Sequence, residues 1–325
     1  MASLRDRLKL IKESKKNGIE QNTISKPGDA PVLKGWEPCG YFVQKRIINT
    51  PFQFKITNNL PNTLPVLIPD LSGSELPLKE EFLFFDLETT GLHGGSAGTI
   101  AFLAAFGKFV SGKLSITQYL LIDYPGINDF LENILKEFKN EKSVIVTYNG
   151  KCFDSQIIKS MCLINRIKPP VYKHADLLHP ARRLWKSIIK DCSQSSIEAN
   201  VLKIERKNDI PGSLAPEIWF DFLKTGNTEK LIGICDHNVY DIKGLAAILA
   251  AIISIAKDPF NIKEYSYDTQ RLAISVYKHA YRQMLIGNYK EPLELVTKAI
   301  EAIPKESLMF IKLMRRKLRL EKLNK

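Results

Sequence analysis

The sequence predicts an α/β fold: a mixed central sheet flanked by helices, with a small all-helical segment after it. Three observations predict it. Strand-like runs at 99–110 and 114–122 are joined through Ser111-Gly112 as a hairpin, and Phe82 to Leu87 forms a third apolar run just before them. From residue 127 onward, helix-period and strand-like stretches alternate, as in a sheet covered by helices. The alternation closes on a long apolar helix from about Leu231 to Ala256.

Each element has a local reason. Residues 1–34 are polar and lysine-rich, with Ser25, Pro27 and Gly28 as breakers, and are expected to form a flexible basic arm. Residues 35–79 read as a short strand-rich lead-in, with strand candidates at 41–48 and 52–56 interrupted by Asn and Pro. The main domain spans 80–256. After its three strands come a helix near 127–138, a strand at 143–148, a helix at 154–164 with Ile157, Ile158, Met161 and Cys162 on one face, and a short strand at 171–175. Residues 257–325 are helical in pattern. There Gly287, Tyr289, Ala299 and Pro304 fall at the spacings of the second half of a tetratricopeptide unit, with Pro292 at the usual small-residue place. One such unit cannot bury its own apolar face, so it is expected to dock on the preceding domain or on a protein partner; an ordinary helical hairpin fits the pattern equally well.

Composition narrows the function classes. With 44% hydrophobic residues the 325-residue chain has ample core. The N-terminal residues are charged and lack a secretory leader's apolar stretch, and the apolar run Leu245 to Ala256 is too short for a bilayer span, so a soluble protein with no membrane partner is expected. Five scattered cysteines without a Cys-x-x-Cys pair argue against a zinc site or a disulfide framework, and imply a reducing, cytoplasmic setting. The net charge of +12 favours a polyanionic partner, although solvated lysine faces produce the same balance.

The richest chemistry lies at Asp86 and Glu88. On a strand, residues i and i+2 leave the same face, about 7 Å apart at the backbone. Carboxylates beside Phe82, Phe84 and Phe85 need a cation, and a hard divalent ion such as Mg²⁺ suits them. An acidic edge strand ending in a Thr-Thr-Gly turn is the alternative. Asp154 follows Tyr148-Asn149-Gly150 at a strand-to-helix junction, where it is either a metal ligand or a charge complementing a helix N-terminus. His237 and Asp241, four apart in the long helix, share one face, as a surface pair or as site residues.

Together these elements form a set: Asp-x-Glu before Thr-Gly, Asn-x-x-x-Phe-Asp at a strand-to-helix turn, and His four residues before Asp in a late helix. The set resembles the DEDD superfamily of 3′-to-5′ exonucleases. Longer stretches, Gly91 to Thr99, Asp176 to Trp185, Cys192-Ser193, Ile197-Glu198 and Asp209-Ile-Pro-Gly212, resemble the YprB-type ribonuclease H-like domain over about residues 80–256. The element order is likewise that of a ribonuclease H-like fold. The resemblance implies a metal-dependent nuclease, with Asp86, Glu88, Asp154 and Asp241 as ligands to two Mg²⁺ or Mn²⁺ ions. One subgroup of the superfamily has Tyr four residues before the last Asp, another His five before it. His237 has the residue of one at the spacing of the other. It is expected to orient the attacking water or act as general base; Tyr240, about 100° around the helix from Asp241, is a poorer candidate.

Contacts to nucleic acid, DNA or RNA, are expected from Thr89, Asn149, Arg182, Lys186 and Lys190. The last three recur every four residues on one face of the helix after Asp176, either as a phosphate-tracking stripe or as a solvated face. The loop Gly94 to Gly98 permits close backbone approach, or is only a connection. Lys312 to Lys325 carries seven basic residues and one acid, and either holds nucleic acid or caps the last helix. Phe153 and Trp185 are candidate stacking platforms, although aromatics so placed usually belong to the core. The competing function is a non-catalytic module that binds nucleic acid and recruits a protein through its helical tail. Four acids facing a polyanion would serve such a module poorly.

Overall fold

A computed structural model describes residues 32–73, 75–91 and 98–325. The basic arm up to residue 31, and residues 92–97 of the glycine-rich loop, lie outside the described residues. Packing is already present at Leu33, which is buried and donates its backbone N–H to the Gln44 side chain at 3.0 Å.

Seven strands form one sheet: β1 (Glu37–Gly40), β2 (Val43–Thr50), β3 (Phe82–Thr89), β4 (Ala101–Val110), β5 (Lys113–Leu121), β6 (Val144–Thr147) and β7 (Lys173–Asp176). The order is β1-β2-β5-β4-β3-β6-β7, antiparallel from β1 to β3 and parallel from β3 to β7. The 35–79 segment therefore supplies two strands to this sheet. The strand expected at 52–56 is absent: Pro51 has no N–H to donate and ends β2, and Phe52 and Phe54 fold onto the core, Phe52 edge-on to Phe109 at 5.1 Å.

Alternation along β3 sorts its side chains. Leu83, Phe85 and Leu87 join one apolar layer, whereas Phe82 and Phe84 join the opposite layer, built largely on the long helix. Asp86 and Glu88 have the parity of Phe82 and Phe84, so they leave the sheet on that helix side. Beside them the β3–β4 register slips: Glu88 faces Leu103 and Thr89 faces Ala101, leaving Phe102 as the extra residue of a bulge.

The helices are α1 (Leu64–Leu67), α2 (Ile127–Glu137), α3 (Asp154–Ile164), α4 (Leu178–Trp185), α5 (Gln194–Asn200), α6 (Ala215–Thr225), α7 (Glu229–Lys257), α8 (Thr269–Leu285), α9 (Lys290–Ala302) and α10 (Leu308–Leu323). α7 is long and apolar enough to cross a membrane by length and composition, but 78% of its most apolar window is buried inside the fold. It rests on β3, β4 and β5. Gly107 on β4 permits this approach, because a Cβ there would overlap the Ile242 side chain of α7. α8, α9 and α10 pack on one another, and Leu272, Val276, Val296, Leu313 and Leu320 continue the α7-side core. α8 lies against α1 and α4, and Trp185 of α4 donates its indole N–H to the Ser266 carbonyl at 3.1 Å. Trp185 is fully buried, so it is core and not a stacking platform.

Gly107→Ala is expected to destabilise the protein by about 1–3 kcal/mol, the usual effect of forcing a methyl into a packed layer. Equilibrium urea unfolding measures it, and an unchanged midpoint would show that the contact with Ile242 is looser than described.

Candidate active site

Three elements bring the acids together. Asp86 and Glu88 come from the end of β3, Asp154 from the first residue of α3, and Asp241 from α7 where it crosses β3. Asp154 is 4% exposed and Glu88 8%. Glu88 takes no hydrogen bond or ion pair from a side chain among the described residues, a state that a buried carboxylate rarely tolerates without a cation. Asp86 accepts a 2.7 Å bond from the Asn238 amide. That amide is fully buried, and its oxygen accepts from Gln118 at 2.7 Å, which aims its N–H₂ at Asp86.

Burial is the first cause of the electrostatic state here. It holds Asp86 well above the usual carboxylate range, reinforced by Asp241, Asp154 and Glu88 and partly offset by Asn238. Glu88 is raised in the same way by burial, then by Asp241, Asp154 and Asp209. Asp154 is pushed up to about 7 by burial, with Asp176 and Asp241 adding to the rise, while backbone bonds at Asp154 itself and Leu87 work against it.

The fourth acid is held by an ionic network. Arg206 donates to Asp241 Oδ1 at 2.8 Å, to both oxygens of Glu198 at 2.6 and 2.7 Å, and to Asp209 at 3.3 Å. Its guanidinium pKa is raised by these partners despite burial. Glu198, 2% exposed, fits against α7 because Gly244 has no side chain; a Cβ there would overlap its carboxylate. His237 Nδ1 lies 2.7 Å from Asp209, and its Nε2 lies 3.2 Å from Asp241 Oδ2. One ligand atom each from Glu88, His237 and Asp241 lies within 4.8 Å of the others. Tyr240 points elsewhere, its hydroxyl 3.4 Å from the Lys207 carbonyl.

Asp154 is aimed by a knot of turns. After β6 the chain reverses through Asn149, at φ 66°, and Gly150, whose Cβ would crowd Thr147. The backbone N–H groups of Asn149, Lys151 and Leu178 all donate to Asp176, at 2.8, 3.1 and 3.1 Å. Asp176, 2% exposed, is thus an anchor for two turns.

The expected nucleic-acid residues divide. Asn149, Arg182, Lys186 and Lys190 line one groove with Tyr148, Cys192 and Gln194, and the three cations are exposed. They do not share one helix face: α4 stops at Trp185, whose carbonyl accepts from both Ile188 and Ile189, so Lys186 and Lys190 reach the groove from a following turn. Gln194 links groove and acids, donating to the Asp241 carbonyl at 2.7 Å. Thr89 faces inward. It is 5% exposed and its hydroxyl donates to the Gly91 carbonyl at 2.9 Å, so it shapes the turn and is not free to contact nucleic acid. Phe153 is partly buried against the apolar layer that holds Leu83, Phe85 and Leu87.

Sequence reasoning missed the roles of Asn238, Glu198, Arg206, Asp209 and Asp176. Asp176, Glu198 and Asp209 stood in the stretches that carry the family resemblance, without a role, and Gly244, a glycine inside a helix, marks close packing at about 1 kcal/mol of helix stability.

Comparison with known proteins agrees with this architecture. The RNase_H superfamily matches residues 83–253, more than half of the chain. An uncharacterised protein of Bacillus subtilis (strain 168), YprB, is 38% identical over 175 residues, which cover 52% of this chain and 41% of that protein. The chain thus spans less than half of that relative. More distant likenesses among solved structures include a family B DNA polymerase from Pyrobaculum calidifontis (TM-score 0.42, 11% identity, 77% of this chain and 46% of that one). A product-bound exonuclease I is another (TM-score 0.37, 17% identity, 63% of this chain and 47% of that one). With the family match covering more than half of the chain, from β3 through β7 and the helix that carries Asp241, the chain belongs to the RNase H superfamily.

Proposed function

We propose that the chain is a metal-dependent nuclease of the DEDD type, hydrolysing phosphodiester bonds of DNA or RNA from the 3′ end. The observation that carries this reading is the convergence of Asp86, Glu88, Asp154 and Asp241 beside a groove bearing three cations. Superfamily membership supports a nuclease.

The residues fit a metal. Glu88 is buried and unpaired among the described side chains, and Asp86 and Asp154 are also raised by burial and by neighbouring acids. Asp86, Glu88, Asp154 and Asp241 would hold the ions. Bound divalent ions, two in this reading, would supply an activated water and charge neutralisation at the leaving oxygen. The protein's own groups do the rest. Asn238 orients Asp86, and Arg206 fixes one oxygen of Asp241 while leaving the other toward the cluster. Arg182, Lys186 and Lys190 would follow the backbone phosphates and set register without reading sequence. No covalent nucleophile is required for such water attack.

Raised carboxyl pKa values have a definite consequence for stability. Between the unfolded carboxylate pKa near 4 and the folded value of about 7 for Asp154, the folded chain holds protons that the unfolded chain has released. Stability of the metal-free protein therefore falls as pH rises through that window. Thermal denaturation should show a Tm lower at pH 8 than at pH 5, with Mn²⁺ restoring several °C at pH 8 and little at pH 5. Asp86→Asn should raise the metal-free Tm at pH 8 and remove most of the Mn²⁺ response. A Tm insensitive to both pH and metal would contradict the metal-centre reading.

On end-labelled single- and double-stranded DNA and RNA, laddering from the 3′ end is expected with Mn²⁺ or Mg²⁺ and not with EDTA. Asp86→Asn and Asp154→Asn should each slow it by ~10²-fold or more. Tight binding without cleavage of any substrate would favour the non-catalytic binding module instead.

Replacing Arg182, Lys186 and Lys190 together by Ala should lower the slope of log K against log[salt] by roughly two to three units, and leave the Mn²⁺-induced Tm shift intact. An unchanged slope would move the nucleic-acid path to another face.

A further inference from the structure

We propose that His237 is itself a metal ligand, and that Glu88, Asp241 and His237 form a mixed nitrogen–oxygen site for a transition-series divalent ion, with Asp209 as the carboxylate that fixes the imidazole. The proposal rests on the reading of the acid cluster as a metal centre and replaces the water-orienting role expected for His237 from its sequence position.

Four observations carry it. Asp209 as a carboxylate can only accept, so at 2.7 Å it holds a ring hydrogen on Nδ1. That leaves Nε2 as the nitrogen directed at the acids, 3.2 Å from Asp241 Oδ2 and within 4.8 Å of a Glu88 oxygen. A histidine gripped by a carboxylate on one nitrogen and presenting the other to a cluster of oxygens is the arrangement that metal-ligating histidines adopt.

Second, Glu88 supplies an independent sign of a missing partner. It is 92% buried by its 8% exposure, and no described side chain bonds it. Third, Arg206 occupies Oδ1 of Asp241 at 2.8 Å, which turns Oδ2 toward His237 and Glu88. Fourth, the backbone opposite the imidazole is kept bare: a Cβ at Gly212 would stand 2.8 Å from Nε2 and crowd the space a ligand needs.

An imidazole in the ligand set changes which ion is preferred. Mg²⁺ takes oxygen donors and water in a strict octahedron, whereas Mn²⁺, Co²⁺ and Zn²⁺ accept nitrogen readily. The site is therefore selective for the transition series over Mg²⁺, at the position shared by Glu88 and Asp241. The other acids, Asp86 and Asp154, remain all-oxygen donors.

The experiment uses Mn²⁺ alone on the full-length chain, without nucleic acid. Pulsed electron paramagnetic resonance of the Mn²⁺-bound protein should show one directly coordinated ¹⁴N, and Mn²⁺ should bind at least tenfold more tightly than Mg²⁺ in competition. His237→Gln should abolish the ¹⁴N coupling and weaken Mn²⁺ about tenfold or more. Asp209→Asn should keep the coupling and weaken Mn²⁺ by about 10–100-fold. Bound Mn²⁺ without ¹⁴N coupling overturns the proposal while leaving a metal-dependent nuclease standing. Coupling that survives in His237→Gln assigns the nitrogen to another imidazole and overturns it equally. Mn²⁺ binding with the expected coupling, in a protein that cleaves nothing, supports the site and sinks the nuclease reading instead.

Discussion

The contact between α7 and the β3–β4 pair is the constraint on which the rest depends. It places a helix carrying His237, Asn238 and Asp241 directly over the strand carrying Asp86 and Glu88. The approach is set by absence of bulk: Gly107 below the helix leaves room for Ile242 that a methyl group would fill, while Gly244 on the other side of α7 leaves room for Glu198. Asn238 then ties the two elements with a buried hydrogen bond to Asp86, and Gln118 on β5 ties the same amide to the neighbouring strand. Helix position and acid position are in this sense one variable.

Such an arrangement opposes folding. Carboxylates collected in a poorly solvated pocket raise one another's proton affinity, and Arg206 offsets this at one edge by pairing with Asp241. Arg206 reaches three acids but not Glu88, so its neutralisation is lopsided. The unbalanced remainder lies on the β3 side of the pocket. In the proposed reading that imbalance is what draws an ion in, and stability is given up locally to keep the site receptive.

Features set by local periodicity were legible in the chain itself. A period of two placed Asp86 and Glu88 together, a spacing of four placed His237 with Asp241, and Ser111-Gly112 announced the hairpin that became β4 and β5. Alternating patterns after residue 127 gave the mixed sheet and its helices. What escaped was whatever depends on segments far apart in sequence. Nothing near Arg206 shows that it will meet Asp241, thirty-five residues on, because that meeting is made by tertiary packing of the 198–209 stretch against α7. Lys186 and Lys190 line the groove with Arg182 without sharing the helix face expected for them, since the helix ends at Trp185. Thr89 was expected to contact nucleic acid, but it is buried with its hydroxyl turned to the Gly91 carbonyl. Pro51 was a visible breaker whose effect reached further than expected, removing a whole strand.

Asp176 gives the molecule a mechanical property. One buried carboxylate grips backbone amides from the turn after β6 and from the turn after β7. The first turn leads to Asp154, and the second leads into the helix that begins the cationic wall. Neither turn can swing without pulling on the other. Asp176 therefore couples the turn that leads to Asp154 with the start of the helix that bears Arg182, and in the proposed reading this holds acid and cationic wall at a fixed spacing.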